Sequence, residues 1–309
     1  MALKKKKKLK TKNFIIFIII VLITLFLIYK ASEIIITNIF IEKTTVTEKT
    51  KKKSTNNDLK QKLKSLENIN EKIDFFIDDY IDRYIAYHKK NKDIKIEQVI
   101  VDVNIGLDHE YYTNVKNAPN INTNYILVNK YYNLGKDYIP SNLKDLDTKY
   151  SIKGMKMISE AKDAFEKMAK DASKEKLHII AMSTYRSYDY QTDLYNKYAK
   201  KDGIEAANTY SAKAGYSEHQ TGLAADVYNG TTNYTSFEKT KEFIWMQENA
   251  HKYGFILRFP KDKEKETGYK YEPWHYRYVG KDIAKYIYDH KISYEEYYVR
   301  FIQNKEKER

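Results

Sequence analysis

Gly215-Tyr-Ser-Glu-His219-Gln-Thr-Gly222-Leu-Ala-Ala-Asp226-Val-Tyr228 is the most informative stretch of the chain. Two glycines punctuate a polar loop that holds one histidine. The loop gives way to a short apolar run, Leu223 to Tyr228, which reads as a strand. Asp226 sits inside that run, after Ala224 and Ala225 and before Val227. A carboxylate there is costly unless it is paired or binds a metal.

Outward from this strand, apolar runs and helical patterns alternate irregularly. Upstream, residues 153–173 read as a helix, with Met157, Ile158, Ala161, Ala164, Phe165 and Met168 on one face. Leu177 to Met182 reads as a strand, and Tyr188 to Lys200 and Ile204 to Ala212 as helices. Downstream, Phe237 to Tyr253 reads as a helix, Gly254 to Phe259 as a strand, and Lys281 to Asp289 as the final helix. Helices and strands mix without strict βαβ alternation, so the class is α+β. Further upstream lies a loop-rich stretch with Pro119 and Pro140. Before it, Ile94, Ile96, Val99, Val101 and Val103 alternate as a strand would.

The first 92 residues have a different character. Lys4 to Lys8, Lys10 and Lys12 precede an uncharged apolar run from Phe14 to Tyr29. Positive residues before an apolar run stay cytoplasmic, so the remainder is expected outside the cell. A span needs roughly 20 residues, and the run extends past Lys30 to Ile34–Ile36 if that lysine snorkels. Tyr29-Lys30-Ala31 is a poor cleavage site, which favours an uncleaved anchor over a signal peptide. Residues 1–13 are thus expected as a basic tail, 14–36 as a transmembrane anchor and 37–57 as a linker. Residues 58–92 are expected as one amphipathic helix. There Leu59, Leu63, Leu66, Asn70, Ile73, Ile77, Tyr80, Tyr84 and Tyr87 step alternately by four and three, a heptad seam that could pair two chains as a homodimer. Phe75, Phe76, Ile81 and Ile85 widen the face, which favours packing on the domain instead. Residues 93–309 make up the expected catalytic domain.

Composition removes several functions. The 309 residues include no cysteine, so disulfides, thiolate metal sites and a cysteine nucleophile are excluded. The net charge of +13 suggests a nucleic-acid partner, but residues 1–53 alone hold 13 Lys and 3 Glu, leaving only +3 for the other 256 residues. A nucleic-acid binder places its basic stripe on the folded domain, so no nucleic-acid partner is expected.

Two of the seven histidines stand apart. His88, His109, His178, His251 and His290 have no polar constellation around them and read as surface or satisfied core residues. His219 precedes Asp226, and His275 lies in Glu272-Pro-Trp-His275-Tyr-Arg-Tyr. Two His and one carboxylate form a three-ligand set with a fourth position left for water, the pattern of a catalytic zinc. Two imidazoles suit zinc better than magnesium. Glu272 is then the candidate general base, with Pro273 supplying the bend that lets Glu272 and His275 converge. His-x6-Asp and Glu-x2-His each occur often by chance; their joint presence with embedded Gly and Trp is what carries weight.

Ser217-Glu-His-Gln-Thr-Gly-Leu-Ala-Ala-Asp226 and Glu272-Pro-Trp-His-Tyr-Arg-Tyr-Val-Gly280 resemble the VanY-type D-alanyl-D-alanine carboxypeptidases. That family belongs to the LAS metallopeptidases, with lysostaphin-like and hedgehog-like domains. Thr184-Tyr-Arg-Ser-Tyr-Asp-Tyr-Gln191 and Leu127-Val-Asn-Lys130 extend the resemblance over roughly residues 120–285. It implies a small domain whose central antiparallel sheet, flanked by helices, carries the zinc site. It implies one Zn2+ on His219, Asp226 and His275, Glu272 as catalytic base, Arg186 on the substrate's terminal carboxylate, and Gln191 and Ser217 as substrate hydrogen-bonding residues. The expected substrate is the peptidoglycan stem peptide, trimmed on the wall side of the membrane. An L,D-carboxypeptidase, a cross-link endopeptidase and a non-catalytic wall-binding zinc module are the rivals. Ala214 stands where relatives often carry Pro, which removes no ligand. The heptad seam has its own test: a 55–92 peptide that dimerises with rising concentration supports a paired stalk, and one that stays monomeric excludes it.

Overall fold

The computed structural model describes residue 30 and residues 73–303. Contacts divide the chain into Met1–Lys72 and Ile73–Arg309, and the architecture below is that of the second unit. The expected linker, the expected anchor apart from residue 30, and residues 58–72 of the expected amphipathic helix lie outside the described residues. Among the described residues no helix is long and apolar enough to cross a membrane.

In chain order the elements are α1 (Ile81–Lys90), α2 (Ile96–Ile105), β1 (Lys116–Asn117), β2 (Tyr132–Asn133), β3 (Leu143–Asp145), β4 (Lys156–Ile158) and α3 (Ser159–Lys174). There follow β5 (Ile180–Ser183), α4 (Tyr188–Asp202), α5 (Ile204–Asn208), β6 (Ala224–Tyr228), α6 (Lys241–Asn249) and β7 (Phe255–Leu257). The last are α7 (Glu264–Thr267), β8 (His275–Tyr278), α8 (Lys281–His290) and α9 (Tyr294–Phe301). A four-stranded sheet in the order β5-β6-β8-β7 forms the centre, antiparallel at every pairing, with two-stranded pairs β1-β2 and β3-β4 beside it. The α+β class and the central antiparallel sheet are as expected.

The central sheet has two unlike faces. Ala225 and Val227 of β6, Tyr276 and Tyr278 of β8 and Phe255 of β7 point into the main core. There they meet the buried side of α3: Ala161, Phe165, Met168, Ala169 and Ala172, spaced by three and four as a helix facing a sheet requires. The intervening residues face the other way. In register, Asp226 of β6 lies opposite His275 of β8, and Ala224 opposite Arg277. Strand alternation therefore sends the apolar set to one side and the ionisable set to the other.

Three expectations are corrected. Residues 96–105 form helix α2 rather than a strand. The alternation misleads because α2 is buried on every side, from Val99 to Ile105. Its polar positions are satisfied inside: Tyr87 Oη donates to Asp102 at 2.9 Å, and Tyr84 Oη to Asn104 at 2.7 Å. Second, the heptad pattern does not extend as one helix through its described part. A turn and a 3-10 segment, Asp78–Tyr80, precede α1, and Tyr84, Ile85 and Tyr87 of α1 are buried in the domain, not presented as a seam. Third, α8 is followed by α9, which has an N-terminal signature in Ser293 and Glu296: the Ser293 hydroxyl accepts from Glu296 N at 3.0 Å.

Gly222 sets the geometry between the polar loop and β6. It ends the 3-10 helix Glu218–Thr221 in the left-handed region, φ 69°. A Cβ there would also come within 2.8 Å of Leu143 Cδ2. Gly222→Ala is expected to cost about 1–3 kcal/mol from backbone strain, with steric crowding adding to it; urea unfolding of the two proteins measures the difference, and an unchanged midpoint would show that the loop relaxes freely.

Candidate metal and catalytic site

Three segments deliver the site, and each is held by its own backbone. The 3-10 turn Glu218–Thr221 carries His219 and is capped by Ser217, whose hydroxyl accepts from His219 N at 3.3 Å. The segment after β5 is stitched to that turn: Arg186 N donates to His219 O at 3.2 Å, and the His219 ring Nδ1 lies 2.6 Å from Thr184 O. A carbonyl can only accept, so it holds the proton on Nδ1 and leaves Nε2 as the ligating nitrogen. β6 carries Asp226. The third segment is a hydrogen-bonded turn, His275 N to Glu272 O at 3.2 Å, with Pro273 at its second position. Proline presets the backbone angle for that position. The convergence of Glu272 and His275 across a bend at Pro273 is thus as expected.

His219, Asp226 and His275 come together: one ligand atom from each lies within 4.8 Å of the others, and all three residues are buried. His219 Nε2 is 3.3 Å from Asp226 Oδ2, and His275 Nδ1 is 2.9 Å from Asp226 Oδ1. Glu272 Oε2 stands 3.9 Å from His275 Nδ1, next to the triad. Arg186 reaches the same carboxylate, its Nη2 at 2.5 Å from Asp226 Oδ2, while its Nε donates to Ser183 Oγ at 2.9 Å. The other two expected residues have structural ties. Gln191 is buried on α4, and its Nε2 donates to Ala212 O at 2.7 Å, pinning the segment that leads into the His219 loop. Ser217 serves as the cap already described.

The donor set fits a zinc ion. Two imidazoles and one carboxylate are the ligand types zinc takes in catalytic sites. Each ring also has an oxygen facing its non-ligating nitrogen. For His219 this is Thr184 O. For His275 it is Glu218, whose Oε2 lies 3.5 Å from Nε2.

Reasoning from sequence missed the layer beneath the triad. Glu218 is fully buried, as are Arg258, Arg277 and Glu295. Arg258 Nε and Arg277 Nη1 both donate to Glu218 Oε1, at 2.8 and 2.9 Å. Arg258 also pairs with both oxygens of Glu295, at 2.9 and 2.5 Å. The available signal was charge inside apolar strands: Arg258 directly follows Phe255-Ile-Leu257, and Arg277 sits between two tyrosines. Such charges require buried partners.

Burial and charge set the protonation of the metal-free site. Burial pushes the Glu272 carboxyl up to about 8, with the Asp226 charge adding to it. Burial pushes His219 down to about 4, helped by Arg186. At His275 burial acts in the same direction, but the neighbouring carboxylates of Asp226 and Glu218 outweigh it and raise the ring to about 9. Burial alone would raise Glu218 and Asp226 as well. Arg258 and Arg277 reverse this at Glu218, and His219 and Arg186 do so at Asp226, holding both carboxyls well below the usual range. Glu272 and His275 therefore bind protons more tightly folded than unfolded. Stability from such raised groups is present below their unfolded pKa and is lost as pH rises through the folded value. His219, pushed downward, is already neutral in both states above about pH 6.5. Stability of the chelator-treated protein is thus expected to fall from about pH 6.5 to 9. Thermal melts should show a shallower fall in Glu272→Gln, and a rise with pH in the parent would contradict the assignment.

Comparison with known proteins agrees with this geometry. The VanY family model, described as D-alanyl-D-alanine carboxypeptidase, matches residues 154–281. The putative carboxypeptidase YodJ of Bacillus subtilis is 41% identical over 205 residues, covering 62% of this chain and 75% of that protein. Among solved structures, the LdcB LD-carboxypeptidase superposes with a TM-score of 0.54 at 40% identity, covering 60% of this chain and 93% of that one. A vancomycin-resistance D,D-pentapeptidase, VanY, in complex with Zn(II), superposes with a TM-score of 0.50 at 30% identity, covering 56% of this chain and 98% of that one. With all of its candidate ligands gathered in one buried cluster and a relative matched over three quarters of its length, this chain belongs to the VanY-type carboxypeptidase family of peptide hydrolases.

Proposed function

We propose that the protein is a zinc-dependent D,D-carboxypeptidase that releases the terminal D-alanine of peptidoglycan stem peptides on the outer side of the membrane. The observation that carries the exo-acting reading is Arg186. Its guanidinium is anchored beside the metal triad, with Nε on Ser183 and Nη2 on Asp226. Arginine presents a planar fork that matches a carboxylate. Consecutive residues lie 3.8 Å apart along a chain. A peptide whose terminal carboxylate rests on Arg186 would therefore bring its last peptide bond toward the triad.

His219, Asp226 and His275 would hold the zinc, which when bound supplies Lewis acidity toward a carbonyl oxygen and toward water. The chain's own residues do the rest. Glu272 removes the proton from the attacking water and later gives it to the leaving amine. Its carboxylate stands beside the triad, 3.9 Å from His275 Nδ1, where it can take a proton and return it. Asp226 balances the charge of Arg186. A general base is what a catalytic site needs and a binding module does not, so Glu272 favours an enzyme over a wall-binding zinc domain.

An L,D-carboxypeptidase is the second reading. The match to LdcB, over nearly all of that chain, favours it. Both readings use the same triad, base and arginine and differ in the depth of substrate admitted. The wall-side location is part of the same proposal and is supported by the lysine-rich start and the apolar run from Phe14 to Tyr29.

Zinc-loaded protein incubated with a stem pentapeptide ending in D-Ala-D-Ala, and separately with the tetrapeptide, is expected to release D-alanine from the pentapeptide, read by mass spectrometry. Release from the tetrapeptide alone would move the enzyme to the L,D class. Glu272→Gln should lower turnover by about 100-fold or more while zinc stays bound. Arg186→Ala should impair peptides with a free C-terminus far more than amidated ones; equal loss on both would show that Arg186 does not read the terminus.

A further inference from the structure

The two oxygens of Glu218 have different environments. Oε1 accepts from both Arg258 and Arg277. Oε2 is buried and makes no hydrogen bond, and the same is true of His275 Nε2. These two orphaned atoms face each other at 3.5 Å. Saturating one oxygen with two guanidiniums fixes the plane of the carboxylate, and that plane aims the other oxygen at the imidazole. Arg258 in turn is gripped from its far side by Glu295 of α9. Two buried cations and two buried anions form a neutral cluster, so no net charge is left uncompensated beneath the site.

We propose that Glu218 is the positioning residue of His275, and that Glu295 holds Glu218 in place by occupying Arg258. The inference rests on the zinc reading of the triad. Glu218 serves His275 as Thr184 O serves His219: each acceptor keeps the ring proton on the nitrogen turned away from the triad. An outer partner of this kind fixes the tautomer and orientation of a ligating histidine. Hydrophobic residues of similar volume could fill the space at no loss of stability, but they could not orient the ring. Glu295 lies beyond residues 154–281, the part matched by the family model. The last described helix, α9, is thereby tied to the metal site through a chain of side chains, Glu295–Arg258–Glu218–His275.

The test reads metal affinity rather than peptide cleavage. Full-length protein is stripped of metal, and its zinc dissociation constant is measured by competition with a chromophoric chelator. Cobalt(II) substitution reports ligand geometry through its visible spectrum. Glu218→Gln is expected to weaken zinc about 10- to 100-fold and to shift the cobalt bands. Glu295→Gln should move both in the same direction by a smaller amount. Phe165→Leu, a core substitution away from the network, lowers thermal stability without touching the site and should leave zinc affinity unchanged. If Glu218→Gln does not fold, Glu295→Gln carries the test. Zinc affinity within twofold of the parent in the folded variants would overturn the proposal, as would a loss in Phe165→Leu equal to theirs. If His219→Ala leaves zinc affinity intact in the parent background, it is the zinc reading itself that fails. A parent that binds zinc but releases no D-alanine leaves this test fully informative.

Discussion

Asp226 and His275 are direct cross-strand partners on β6 and β8, and this pairing organises the molecule. Side chains alternate along a strand with a period of two, so register decides which face each residue occupies. A slip of one residue would place Asp226 among Phe165, Met168 and Tyr276 and would turn Val227 toward the site. Both the core and the triad require the same register. The core stabilises the register by excluding the charged set, and Asp226 reinforces it by pairing with His219, Arg186 and His275 on the opposite face. Neither face could be redesigned without the other.

Beneath the triad lies a layer that is unusual for a small domain: two arginines and two glutamates with almost no exposure to solvent. Ion pairs of this kind add little net stability once desolvation is counted. Their value lies in direction. Arginine forks and carboxylates have fixed geometry, and here that geometry converges on one imidazole nitrogen. The protein thus uses apolar packing for cohesion on one side of the sheet and ionic packing for orientation on the other.

Much of the site was legible in the sequence because its parts are local. His219 and Asp226 share one loop and strand, and Glu272 and His275 share one turn. Their joint presence, with the embedded glycines and Trp274, therefore pointed to their roles, and Pro273 announced the bend between them. The unread part is non-local. Glu218 meets Arg258, Arg277 and Glu295 only after the sheet has formed, and no spacing along the chain encodes that meeting. Residues 96–105 were misread for a related reason. Their alternation is real, but the polar members bond to Tyr84 and Tyr87 of the preceding helix instead of facing water. Periodicity reports amphipathicity and loses its meaning in an element that is enclosed on all sides. Helix α9 begins five residues beyond the expected end of the final helix at Asp289, and Ser293 and Glu296 mark its start.

The turn from Glu272 to His275 also bears on motion. Base and ligand belong to one hydrogen-bonded unit with a proline inside it, and that unit is tied to both sides: Glu272 N to Phe259 O, and Val227 N to Trp274 O. A displacement of the sheet would carry both side chains together, so the turn itself, and not the surrounding loops, sets their separation.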